Sequence, residues 1–269
     1  MFDELDYADY LNQCPFHEGL GIDLEEYEKV DGKYQKNLFS TVDPKNKTPF
    51  AADLDDLIRL HFLATSRKVT TILEFGVGKS TVVFNDALKI NEQRHKDYVL
   101  ENLRRSNPFE CLSVDNNRDW MHRLQTDYGD LEHINLHYSE CKLSTFNSRV
   151  CTFYTDLPNV CPDLIYLDAP DQFSVVGDVR GISTRHPDRM PMAGDILAFE
   201  HFLTPGTLIV IDGRTANARF LQANLQRNWR HTHSVEHDQH YLELREKPLG
   251  PHNLRQVEYC LGKDWLDTL

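Results

Sequence analysis

Four acidic residues stand where apolar runs of this 269-residue chain end: Glu74, Asp115, Asp168 and Asp212. A carboxylate at a strand end can accept from a ribose diol, hold a cationic group or take a proton. Glu74 is followed by Gly76 and Gly78 at alternate positions and then by Ser80 and Thr81. That order reads as strand, tight turn and helix N-terminus: glycine lets a ligand approach the backbone, and Ser80 or Thr81 can cap the helix. Glu74, Gly76, Gly78, Ser80, Thr81, Asp115 and Glu140 are therefore the candidate cofactor contacts. The polar segment after Asp168 carries Asp171, Arg180, Arg185 and His186. Asp168, Asp171 and His186 are candidates for proton transfer. Arg180, Arg185, Asp212 and Arg214 are candidates for orienting a second substrate, since guanidinium forks suit carboxylate and phosphate groups.

The elements that would position these groups follow from hydrophobic pattern. Residues 69–73, 111–115, 134–138, 163–168 and 207–212 are short apolar runs, and helical patterns separate them, as at 54–63, 82–88, 95–105, 194–203 and 215–229. Near-continuous apolar strands imply a parallel sheet covered on both faces. Residues 232–236 and 241–245 read as a closing antiparallel hairpin, and 141–161 as a variable helix or loop. The expected organisation is an acidic arm or lid over 1–50, a doubly wound α/β domain over 51–247 and a tail over 248–269 packed on that domain. In open α/β sheets ligands bind beyond the carboxyl ends of the strands, where the four acids converge.

Composition narrows the partners. Net charge is −13, and residues 1–56 alone hold 14 acidic against 5 basic side chains. A nucleic-acid binder needs a broad basic footprint, and none is visible. No run of roughly 18 apolar residues exists, so no membrane span is expected. The start of the chain is acidic where a signal peptide would be basic. Six scattered cysteines, Cys14, Cys111, Cys141, Cys151, Cys161 and Cys260, have no metal-ligand spacing and read as reduced structural thiols of a cytoplasmic protein. No oligomeric state is read from the sequence.

Three ligands compete for the glycine turn. A P-loop needs a first glycine at position 73, which is Leu73, and Glu74 would repel phosphate. A dinucleotide fingerprint needs a third glycine at 81, which is Thr81. The third ligand, S-adenosylmethionine (SAM), carries a sulfonium, an ammonium and a ribose diol and no phosphate, so a carboxylate in the turn suits it. Here the sequence resembles the class I SAM-dependent methyltransferases. Glu74-Phe-Gly76-Val-Gly78 meets their acidic glycine-turn motif, with Ser80 in place of a third glycine. Asp115 matches the acid after strand two, Asp168 the motif at the reaction centre, and Asp212-Gly213 the end of strand five. The resemblance covers roughly residues 50–245. It implies a mostly parallel seven-stranded sheet closed by a C-terminal antiparallel hairpin, and methyl transfer to a small-molecule acceptor, a hydroxyl of a sugar or other metabolite. From the charge balance and the lack of an apolar span, no nucleic-acid or membrane partner is expected. A divalent cation between Asp168 and Asp212 would be thinly held, and Gly213 stands where metal-dependent catechol-type members carry Asn, so no metal ligand is assigned. A non-catalytic binding protein of the same fold, or an NAD- or nucleotide-dependent enzyme using the same turn, is the alternative.

Overall fold

The computed structural model describes residues 2, 5–30, 33–36 and 53–269. Asp6 caps α1 (Tyr7–Gln13) by accepting from the Ala8 and Asp9 amides, and α2 (Phe16–Gly19) follows. Two short strands, β1 (Tyr27–Val30) and β2 (Lys33–Lys36), pair antiparallel. Asp53 caps α3 (Leu54–Ser66). Then come β3 (Thr71–Phe75), α4 (Lys79–Asn102), β4 (Glu110–Asp115), α5 (Arg118–Tyr128) and β5 (Ile134–Tyr138). A hairpin of β6 (Cys141–Phe146) and β7 (Arg149–Tyr154) precedes β8 (Leu164–Leu167), α6 (Asp195–Phe199), β9 (Leu208–Asp212) and α7 (Thr215–Asn224). The chain ends with β10 (Trp229–Ser234), β11 (Gln239–Leu244) and α8 (Pro251–Leu261).

Seven strands form one sheet in the order β10-β11-β9-β8-β3-β4-β5. The five apolar strands run parallel, while β11 lies antiparallel between β9 and β10. Counted in chain order within the sheet, the arrangement is 3-2-1-4-5-7-6. The chain winds outward from β3 to β5 and then returns to β8 on the other side of β3. In open α/β sheets such a reversal is where a ligand crevice forms, here at the carboxyl ends of β3 and β8.

Alternation divides the core. Ile72, Cys111, Leu164, Tyr166, Leu208, Val210 and Tyr241 face α3 and α4. Leu73, Phe75, Leu112, Val114, Ile165, Leu167, Ile209 and Ile211 face the opposite layer, with Ile196 of α6 and Ala218 and Leu221 of α7. Tyr7, Leu11, Phe16 and Leu20, from the region expected to be an arm, are buried in the first of these layers. Residues 1, 3, 4, 31, 32 and 37–50 of the expected arm or lid lie outside the described residues. Among the described residues no helix is long and apolar enough to cross a membrane.

The expected loop at 141–161 is corrected by the β6–β7 hairpin. Phe146 pairs with Arg149 across a two-residue turn, Asn147-Ser148, in which both residues have positive φ (48° and 63°). A turn of that hand matches the twist of two antiparallel strands. The first strand starts two residues later than its expected 69–73, placing Glu74 and Phe75 inside β3. The two helical patterns after the turn merge into the single 24-residue α4.

Candidate functional site at the carboxyl edge

Glu74 points from β3 toward α4 and is fully buried. Register sets its neighbours: Ser113 of β4 and Tyr166 of β8 lie directly beside it. Three hydroxyls donate to its carboxylate, Ser80 Oγ at 2.6 Å, Thr81 Oγ1 at 2.8 Å and Ser113 Oγ at 2.6 Å. Burial pushes its pKa up to about 7, against the pull of those hydroxyls. The expected capping role changes accordingly. Gly78 occupies the N-cap of α4, Thr81 Oγ1 accepts from the Gly78 amide at 3.0 Å, and Ser80 reaches back to Glu74. Glu74 acts as the anchor that fixes the turn onto the helix.

The raised pKa has a consequence for stability. A carboxyl near 4.5 when unfolded and about 7 when folded favours the fold fully below pH 4.5, and that contribution is lost as pH rises through 7. Asp195 acts in the same direction. It is buried, accepts from the Tyr154 amide through Oδ1 and has no partner for Oδ2 among the described residues, and burial lifts its pKa to about 7. Glu74→Gln is expected to remove about 2.5 kcal/mol of the stability difference between pH 5 and pH 8. Urea denaturation at the two pH values reads this directly; an unchanged difference removes Glu74 as its source.

The turn itself is closed by its own bonds. Gly76 N–H donates to Val114 O at 2.9 Å, and Val77 N–H to Asp115 Oδ2 at 2.8 Å. Asp115 also accepts from the Asn117 amide through Oδ1 at 2.7 Å and is buried, and burial raises its pKa against these backbone bonds. The Asn116 amide also bonds this carboxylate; of about four acceptor positions, roughly one remains for a ligand. Gly76 has φ +107°, and a Cβ there would lie 3.2 Å from Ala169 Cβ and 3.3 Å from the Asp168 carbonyl. Its lack of a side chain lets the turn sit against the end of β8. A Cβ at Gly78 would meet nothing within 4 Å, so that side of the turn faces open space.

Beside the turn, Asp168 and Asp212 share one charged neighbourhood. Burial and the Asp168 charge push Asp212 up to about 6, while Tyr166 O–H donates to it at 3.2 Å. Gln239 of β11 lies opposite Asp212 and accepts from Arg59 Nε at 3.2 Å, linking the site to buried Arg59 of α3. Partial burial raises the Asp168 pKa, opposed by Arg214, while 53% of its side chain remains open to solvent. Arg214 is buried. Its Nε lies 3.2 Å from Asp168 Oδ1, its Nη2 donates to Asp168 O at 2.6 Å and its Nη1 to Pro170 O at 3.0 Å. Sequence reasoning placed Arg214 on a substrate; the structure places it on the loop that carries Asp168.

The other expected residues scatter along the rim. Asp171 is exposed and accepts from the Phe173 amide. His186 is half exposed, with Nδ1 3.8 Å from Asp188 Oδ2. Gln172 Nε2 donates to His186 O and Gln172 O accepts from Thr184 Oγ1, which ties together the two loop segments that carry these candidates. Arg180 and Arg185 are exposed on the same loop. Glu140 pairs with Lys142 at 2.8 Å. Ser113, Tyr166, Gln239 and the Asn116–Ser174 bond that ties the β4 end to this loop had no local signal in sequence.

Among the described residues no three His, Cys, Asp or Glu side chains gather to hold a metal ion. His231, His233 and His240 stack nearly flat, His240 lying 3.8 Å from His233 and 5.2 Å from His231 between centroids. His231 Nε2 lies 2.9 Å from His240 Nδ1, and His240 Nε2 lies 3.0 Å from Thr215 Oγ1, so both His240 ring nitrogens are engaged within the protein.

No protein-family model matches the chain, and no curated protein matches it in sequence. Among solved structures, it is similar to the SAH-bound methyltransferase PaMTH1 of Podospora anserina, at 12% identity over 73% of this chain and 80% of that one, TM-score 0.46. It is also similar to the O-methyltransferase TomG of Streptomyces achromogenes in complex with SAM, at 13% identity over 73% and 82%, TM-score 0.39. A third is the O-methyltransferase of Bacillus cereus in complex with SAH, at 9% identity over 88% and 91%, TM-score 0.36. The strand order, the antiparallel penultimate strand of the sheet and the acidic glycine turn at its reversal point give this chain the class I methyltransferase fold.

Proposed function

We propose that the carboxyl-edge crevice binds S-adenosylmethionine and that the protein catalyses methyl transfer to a hydroxyl of a small molecule, a sugar or other metabolite. One observation carries the reading. The amides of Gly76, Val77 and Gly78 are all taken, by Val114 O, Asp115 and Thr81 Oγ1, and Asp115, Asp168 and Asp212 stand around the turn. A polyphosphate needs free backbone donors and a positive surround. The turn offers filled donors and a surround of carboxylates, which suit a cationic ligand with a ribose diol.

In this reading Asp115 accepts from the ribose, and the open side of Gly78 receives the methionine portion. The bound cofactor supplies an electrophilic methyl group. The chain's part is to align the acceptor and exclude water, since in-line displacement depends mainly on positioning. Asp168, half open and beside the turn, takes the acceptor's proton. Asp212, raised toward pH 6, stabilises Tyr166 and shares the pair's charge. Asp171 and His186 approach from the loop as further candidate bases, and Arg180 and Arg185 as contacts for an anionic part of the acceptor.

Thermal shift and calorimetry with S-adenosylhomocysteine (SAH), NAD and ATP test the cofactor. SAH alone should stabilise the protein. The Asp115→Asn variant keeps one acceptor for the turn and should bind SAH at least tenfold more weakly, at a stability cost of roughly 1–2 kcal/mol. Alanine is the poorer test because it would also release the Val77 and Asn117 amides. Stabilisation by NAD or ATP without SAH would overturn the cofactor, and SAH binding without label transfer from SAM to a panel of hydroxylated acceptors would favour a non-catalytic binding protein.

A further inference from the structure

A second cavity lies at the opposite edge of the sheet. It is an open-mouthed cleft of about 810 Å³ at the amino ends of the strands, where Thr71 begins β3, Asn107 precedes β4, Cys161 precedes β8 and Thr204 precedes β9. The depth of the sheet, about 15 Å along a five-residue strand, separates it from the glycine turn. Its volume falls in the range of small-molecule sites.

The lining divides by chemistry. Val160, Phe199 and Phe202 give it an apolar wall, and Phe202 is 82% exposed. Arg104, Arg105 and His252 are its basic groups, and among the described residues no aspartate or glutamate lines it. That is notable on a chain of net charge −13. Arg105 is held in place: its side chain is 6% exposed, Nη2 donates to Cys161 O at 2.8 Å and lies 3.2 Å from Asp163 Oδ1. Its Nε is buried with no partner among the described residues. A buried guanidinium N–H without an acceptor carries a desolvation penalty that an incoming oxygen would relieve. Arg104 is exposed at the rim.

We infer that this cleft is a second ligand site, for an anionic small molecule with an apolar body: a carboxylate or phosphate ester whose head meets Arg104 and Arg105 and whose chain or ring lies along Phe199, Phe202 and Val160. The anionic head answers the basic lining and the orphaned Nε. The apolar body answers a wall that otherwise leaves Phe202 in water. The inference is independent of the methyl-transfer reading, because no residue of the cleft belongs to the carboxyl edge.

Calorimetric titration of the full chain with decanoate tests it, with decylammonium as the charge-reversed probe. Decanoate should bind at a single saturable site, and decylammonium at least tenfold more weakly. Arg104→Glu should weaken decanoate about tenfold while leaving far-UV circular dichroism and SAH binding unchanged, and Phe202→Ser should weaken it by a similar factor through the lost apolar contact. Non-saturating heats, equal affinity for the two probes, or indifference to Arg104→Glu would each overturn the site. Sedimentation velocity covers the remaining outcome: self-association abolished by Phe202→Ser and unaffected by decanoate would make this face a contact between copies of the chain and refute a small-molecule site.

Discussion

Alanine at Gly76 is expected to destabilise the protein by about 3 kcal/mol and to weaken SAH binding at least a hundredfold. The φ of +107° lies beyond the left-handed helical well, in territory that side chains enter only with strain of order 1–3 kcal/mol. Steric crowding adds to this. The new Cβ would stand 3.2 Å from Ala169 Cβ and 3.3 Å from Asp168 C and O. These atoms cannot retreat freely, because Asp168 N–H donates to Phe75 O at 2.9 Å and Arg214 grips the carbonyls of Asp168 and Pro170. The turn must shift instead, and with it the Val77–Asp115 bond. Gly78→Ala supplies the contrast. Its φ of −172° is extended backbone, and its Cβ would meet open space. Alanine there should leave stability within about 1 kcal/mol of the parent while weakening SAH, because it fills the side a ligand approaches. Denaturation and calorimetry on both variants separate the two roles. Equal stability losses at 76 and 78 would show that the turn does not rest on the β8 loop in this way.

That contrast was only half legible in the sequence. Two glycines at alternate positions after an acid announced a tight turn, because spacing and residue type are local facts. Which glycine faces protein and which faces ligand depends on the Asp168-Ala169 backbone, more than 90 residues away. The same division runs through the rest of the site. The sheet could be read from its apolar runs, since burial on both faces leaves a continuous signal in each strand. The acids could be located because they terminate those runs. Their partners could not: Ser113 reaches Glu74 through strand pairing, and Arg59 meets Gln239 from the far end of the chain. Glu74 therefore read as a ligand contact when its carboxylate is buried under three hydroxyls. The β6–β7 hairpin escaped for a different reason. Its turn, Asn147-Ser148, lacks the glycine that usually marks a positive-φ pair, and its strands are half exposed.

Arg214→Met is expected to lower stability by about 2–3 kcal/mol and to move the acid limb of turnover upward by at least one pH unit. The guanidinium links three acceptors on one loop, and removing it leaves the Asp168 and Pro170 carbonyls without their donors, each worth about 1 kcal/mol or more when buried. The ionic part is smaller, because Asp168 is 53% open and solvent screens it. The larger consequence is electrostatic. Arg214 is what lowers the Asp168 pKa, while burial raises it, and Asp212 already sits near 6 partly because of the Asp168 charge. Without the cation, two carboxylates face each other with less compensation, and the pair holds a proton to higher pH. If Asp168 takes the acceptor's proton, it works only when ionised, so turnover must fall at pH values the parent tolerates. Arg214→Lys returns the charge without the fork. It should restore most of the pH profile and little of the stability, because a single ammonium cannot bridge Asp168 Oδ1 and both carbonyls. A merely structural role would lower turnover at every pH alike. A parallel drop with an unmoved acid limb would thus remove Asp168 from proton transfer and leave Arg214 as a clamp alone.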